Sequence, residues 1–106
     1  MDAINIGLIG LGTVGTGVVK ILRKNRDLLL KKLNVPLILK KVAYKNLSRP
    51  RTVDLSGIEI TNAEEIINDP EINIVIELIG GYEPAKTYIL TAIKKRKHVV
   101  TANKAL

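Results

Sequence analysis

Apolar positions along this chain follow two rhythms in turn, one suited to strands and one to helices. In INIGLI, residues 4–9, Ile4, Ile6 and Leu8 alternate with Asn5, Gly7 and Ile9. Both sets are small or apolar, as in a parallel strand covered on both faces. Val14, Val18, Ile21 or Leu22, and Leu29 then recur at helical spacing, with Lys20, Arg23, Lys24 and Arg26 mostly off that stripe. The pattern predicts one helix from Thr13 to about Lys32, broken by Asn34 and Pro36. LILKKVAY, residues 37–44, reads as a second strand. Residues 45–57 carry Asn46, Ser48, Pro50, Asp54 and Gly57 without a sustained period, which predicts a loop before a short strand at 58–60. A helix starts at Thr61 or Asn62, with Asn62 as cap and Glu64 and Glu65 in its first turn, and Asp69-Pro70 ends it near Ile67. NIVIELI, residues 73–79, is an interior strand stopped by Gly80-Gly81. Pro84 suits the first turn of a helix ending in Lys94, Lys95, Arg96 and Lys97, and residues 98–101 form the last strand.

Strand and helix alternate throughout, with connections long enough for parallel pairing. The economical architecture is a three-layer α/β domain around a doubly wound, Rossmann-like parallel sheet, with strand order 3-2-1-4-5. The 106 residues suit one domain, and a 46% hydrophobic content is enough for a core. Because the chain stops at Asn103-Lys104-Ala105-Leu106, directly after a strand, residues 1–106 read as the nucleotide-binding part of a larger protein.

The absence of cysteine excludes disulfides, thiolate catalysis and Cys-based metal sites, and fits a cytoplasmic location. The start, MDAINIG, lacks the basic segment of a signal peptide, and no apolar run reaches the roughly 18 residues of a membrane span. Net charge is +7, with eleven of the seventeen Lys and Arg in residues 1–53 against only Asp2 and Asp27 there. Many of these cations fall on the outer side or tail of one helix, without interleaved aromatics. That favours a solvated surface with attraction for an anionic cofactor over a nucleic-acid interface.

The most informative local feature joins the first strand to the first helix through Gly10-x-Gly12-x-x-Gly15. In a dinucleotide-binding turn, Gly10 permits the tight bend, Gly12 lets backbone approach a pyrophosphate, and Gly15 allows close packing of the helix. The helix N-terminus supplies unpaired amides and a favourable dipole for phosphate. An NAD site commonly places an acid at the end of strand two, where this chain has Lys45-Asn46. Lys45, Arg49 and Arg51 are cations able to pair with a 2′-phosphate, so NADP(H) is favoured and NAD(H) possible. Beyond the strands' carboxyl ends, the glycine turn, residues 78–81 and residues 101–104 should converge on one crevice. Gly80 would let backbone come close to the cofactor there. Lys104 is the basic residue at the end of the last strand and a candidate for proton transfer to a carbonyl. Glu77 is an unusual acid inside a strand, available to loop amides or a charged partner. His98 begins its strand at the end away from the crevice and reads as structural.

Four blocks go further than the glycines: IGLIGLGTVGTGVVKIL at residues 6–22, KKVAYKNLSRPR at 40–51, IVIELIGGYEPAK at 74–86 and HVVTANKAL at 98–106. Together they resemble the N-terminal cofactor domain of homoserine dehydrogenase, over essentially the whole chain. The resemblance implies oxidoreduction between L-homoserine and L-aspartate 4-semialdehyde, in amino-acid biosynthesis leading to threonine, methionine and often isoleucine. It implies that Gly10, Gly12, Thr13, Val14 and Gly15 form or flank the pyrophosphate loop. Lys104 matches one of the two lysines linked to proton relay, and Asn103 and Thr101 would help place the nicotinamide. It also implies a homodimer whose substrate domain, with the second lysine, lies beyond Leu106. Where family members commonly have Arg-Asp after strand two, this chain has Lys45-Asn46, which weakens a case for NAD and gives a less directional phosphate clamp. Two alternatives are a related semialdehyde or amino-acid dehydrogenase, and a non-enzymatic nucleotide sensor.

Overall fold

The structure, a computed structural model, describes residues 2–45 and 53–104. Strands β1 (Ile4–Ile9), β2 (Leu37–Ala43), β3 (Glu59–Thr61), β4 (Ile74–Glu77) and β5 (His98–Thr101) form one parallel sheet. Their spatial order, β3-β2-β1-β4-β5, is the expected one. Helix α1 (Thr13–Lys24) packs on one face, where Val19 meets Leu8 and Val42. Helices α3 (Ala63–Asn68) and α4 (Ala85–Lys94) cover the other, where Ile66, Ile67 and Ala92 meet Ile9, Ala43 and Val75. Among the described residues, no helix is long and apolar enough to cross a membrane.

The single helix expected from Thr13 to Lys32 is instead two, α1 and α2 (Arg26–Leu33), divided at Asn25. There both the backbone N–H and the side-chain amide donate to the Ile21 carbonyl, each at 3.0 Å. The side chain shares an acceptor that the backbone keeps, and the interruption is the departure of Asn25 itself to φ −102° and ψ 19°. The buried face of α1 also differs from the expected stripe. Gly15 and Val19 face inward, while Val14 and Ile21 are more than half exposed. A Cβ on Gly15 would stand 2.3 Å from the Gly10 carbonyl oxygen, so this helix approaches the turn through a residue without a side chain. Counting apolar side chains leaves that contact out.

Strand limits move by one or two residues for identifiable reasons. β4 ends at Glu77, two residues before the expected limit. Leu78 still donates to the Ile9 carbonyl at 2.8 Å, but the next two amides turn onto the Glu77 carboxylate. β3 starts at Glu59 because the Ile58 N–H closes a turn onto Leu55 at 3.0 Å. As expected, Asn62 caps α3, accepting from the Glu65 amide at 2.9 Å.

The β1–β2 pairing slips between Ile6, opposite Leu39, and Gly7, opposite Lys41, so Lys40 is one residue extra. Strand side chains normally alternate between faces. Here Leu39 and Val42, three apart, join the same cluster, and the consecutive Lys40 and Lys41 both reach one oxygen of Asp69, at 2.6 and 3.1 Å. Burial pushes the Asp69 carboxyl up, but hydrogen bonds from Lys40, the Glu71 amide and Lys41 outweigh it and hold the pKa at about 2. This ionic cluster sits near the amino end of the sheet, away from the glycine turn.

Candidate functional site

A crevice of about 600 Å³ opens at the carboxyl ends of β1 to β4. Gly10 and Gly12 form one wall, residues 43–45 and 61–64 a second, and residues 78–80 with Glu83, Pro84 and Tyr88 a third. The three fingerprint glycines do different things. Gly10, with φ +107°, sits where a Cβ would lie 2.9 Å from the Leu78 carbonyl carbon. Gly15 makes the close helix contact described above. A Cβ on Gly12 would have nothing within 4 Å and would point into open space.

Three helices begin at this crevice, α4 at Pro84 just after Glu83, and the first turns of the other two differ. α1 follows Gly12 with no side-chain cap and no acid in its first turn, leaving amide donors at its start without side-chain acceptors. Thr13 and Val14 occupy that turn and are exposed. The start of α3 is closed by Asn62 and carries Glu64 and Glu65.

Lys45 is exposed and lines the crevice beside Tyr44. Arg49 and Arg51 lie outside the described residues. Asp54 is turned away into its own loop, its carboxylate accepting from the Ser56 amide at 2.9 Å and from the Ser56 hydroxyl. The Ser56 hydroxyl and then its amide hold the Asp54 carboxyl below its ordinary range.

Gly80 lines the crevice, whereas Thr101, Asn103 and Lys104 do not form its wall. They are joined to it through Glu77, which is fully buried. One Glu77 oxygen accepts from the Ile79 and Gly80 amides at 2.9 and 3.3 Å, and the other from the Thr101 hydroxyl at 2.6 Å. The Asn103 amide donates to the Thr101 hydroxyl oxygen at 3.0 Å, and the Asn103 side chain donates to the Gly81 carbonyl. The loop amides expected for Glu77 are used, and the Thr101 hydroxyl joins them. Lys104 follows, exposed.

Sequence reasoning did not place Glu64, Glu83, Tyr44 or Tyr88 at this crevice. Glu64 was legible only as a first-turn acid. The Tyr88 hydroxyl stands 3.4 Å from Glu64, and burial, then the Glu64 charge, pushes its pKa up. His98 lines a separate cavity of about 580 Å³ at the amino end of the sheet, with Lys95, Arg96 and Lys97. Lys97 donates there to the Asp69 and Ile72 carbonyls at 2.6 and 2.9 Å, and burial lowers its pKa.

Comparison with known proteins converges on one family. Residues 10–106 match the family model described as homoserine dehydrogenase, NAD binding domain. The chain is 48% identical over 107 residues to the homoserine dehydrogenase of Bacillus subtilis, covering all of this chain and 25% of that protein. It is 49% identical over 106 residues to that of Synechocystis sp., covering 97% of this chain and 24% of the relative. The crystal structure of S. aureus homoserine dehydrogenase superposes with a TM-score of 0.92 at 42% identity, over all of this chain and 27% of that one. The chain thus spans about a quarter of the length of the relatives it matches.

Proposed function

The chain belongs to the homoserine dehydrogenase family, as its NAD-binding domain, and from that premise we propose that it holds the cofactor for reversible hydride transfer between L-homoserine and L-aspartate 4-semialdehyde. The observation that carries this reading is the start of α1. Its first-turn amides have neither a side-chain cap nor an acid, and Gly12 leaves open the space through which a pyrophosphate would approach. The crevice volume of about 600 Å³ falls within the roughly 300–1,000 Å³ of small-molecule sites. The residues present therefore fit a dinucleotide.

In this reading Gly10, Gly12, Thr13, Val14 and Gly15 build or flank the pyrophosphate cradle, and Gly80 lets backbone approach from the β4 side. Lys45, at the end of strand two where an acid would select NAD, attracts a 2′-phosphate, so NADP(H) is preferred over NAD(H). Arg49 adds to that attraction. Thr101 and Asn103 orient the nicotinamide end. When bound, the nicotinamide supplies or accepts hydride. The Lys104 ammonium, Nζ, holds the proton for the oxygen of the reacting carbonyl. Substrate contacts come from a further domain of a full-length homodimer serving threonine, methionine and isoleucine biosynthesis, so residues 1–106 alone carry no dehydrogenase activity.

Calorimetric titration of the full-length protein with NADPH and NADH tests the assignment. Tighter NADPH binding, weakening as salt is added, is expected. Tighter NADH binding overturns the charge argument, and binding of neither overturns the proposed function.

A further inference from the structure

Four hydrogen-bonded links at the carboxyl end of the sheet close into a ring. From Glu77 it runs to the Gly80 amide, through Gly81 to the Asn103 side chain, from the Asn103 amide to the Thr101 hydroxyl, and back to Glu77. The ring joins two segments more than twenty residues apart in sequence. One is the Gly80-Gly81 turn, whose residues have φ of +75° and +76°. The other leads directly into Lys104.

We propose that Glu77 is a positioning residue that sets the height and direction of residues 101–104 against the wall of the crevice. The carboxylate only accepts, so it requires the Thr101 hydroxyl to donate toward it. That orientation leaves a Thr101 lone pair for the Asn103 amide. The Asn103 side chain then reaches Gly81 across the gap, and the turn and the segment move as one body. Glu77 is fully buried and is not part of the crevice wall; it acts through Thr101 and Asn103. Its isolation supports the assignment. A fully buried carboxylate is retained at a cost, and this one is satisfied by two backbone amides and a hydroxyl. A purely apolar core contact at this place would leave the two amides without those acceptors.

The inference rests on the dehydrogenase reading for its kinetic consequence, but the ring is measurable without it. In the full-length protein, Glu77→Gln and Thr101→Val are each compared with the unmodified chain and with Thr101→Ser. Glu77→Gln lets the amide side chain donate to Thr101 and removes the enforced direction. Thr101→Val deletes the hydroxyl at an exposed position and so protects the test if the buried substitution fails to fold. We expect hydrogen exchange at the Ile79, Gly80 and Asn103 amides to quicken about tenfold or more. We also expect kcat to fall by roughly ten- to a hundredfold, the scale set by a misplacement of about 1 Å, with the cofactor Kd of Glu77→Gln changed less than about threefold. Thr101→Ser should recover most of what Thr101→Val loses. Unchanged exchange and kcat overturn the proposal. So does a loss that follows only the melting temperature, with Thr101→Ser no better than Thr101→Val. If the full-length protein turns over no substrate at all, the dehydrogenase reading and the kinetic role of Glu77 fall together, while the exchange rates still decide whether the ring couples the two segments.

Discussion

Two of the helices that start at the same crevice have opposite electrostatic characters. α3 begins with Asn62, whose side chain accepts from the Glu65 amide, and with two acids in its first turn. Its positive end is already answered from within the chain. α1 begins at Gly12, with no such acceptor and no acid. A helix start completed by its own residues contributes to folding, whereas one left open is suited to an anionic ligand. The difference lies in side chains at two or three positions, not in the backbone geometry of the helices.

The strongest way to break this contrast is to give α1 what α3 has. Gly12→Asp supplies both a cap and a negative charge, and should weaken NADPH binding by about a hundredfold or more in a calorimetric titration, through occupied space and charge repulsion. Its melting temperature should hold or rise, since Asp is a good cap. Lys104→Ala separates holding the cofactor from reacting with it. We expect kcat to fall by roughly a hundredfold, with NADPH affinity little changed, as for a lost proton-transfer group. Near-normal turnover in both directions would make Lys104 only a charge at a strand end.

Acid provides a control away from both helix starts. The Asp69 carboxyl is depressed from 3.8 to about 2 in the folded chain. Its contribution is therefore fully present above about pH 4 and lost as the pH falls toward 2, on the order of 2 kcal/mol. Denaturant unfolding between those limits should show the loss, and Asp69→Asn should flatten it. The smallest effect belongs to α3 itself: Asn62→Ala should cost about 1 kcal/mol of stability and leave NADPH affinity within about threefold.

The parts legible in the sequence were those with a local cause. Asn62 with its acids marked a cap, and the glycine spacing marked the turn, since each depends on residues a few positions apart. The order of the strands followed from the same fingerprint. The break at Asn25 escaped because it is the departure of one residue's backbone within an otherwise continuous helical period. The close approach at Gly15 was legible in the glycine spacing, but the apolar stripe of α1 was not, since Val19 rather than Val14 or Ile21 packs inward. Glu77 stood out as an acid within a strand, but its partner Thr101 is far along the chain and only the β4–β5 pairing brings them together. Glu64 and Tyr88 reach the crevice from α3 and α4, 24 residues apart, and carried no local signal of it.

The extra residue at Lys40 works as a phase shift between two sequence patterns. Before it, Leu39 is set toward the α1 face; after it, Val42 returns to that face and Ala43 to the opposite one. With one lysine fewer, regular alternation would preserve those faces, but only one ammonium would remain for Asp69. With the extra lysine straightened into regular pairing, Val42 and Ala43 would exchange faces, and Lys45 would change its position relative to Gly10. The paired lysines thus time the chain: the irregularity near the amino end of the sheet determines which residue arrives beside the glycine turn five positions later.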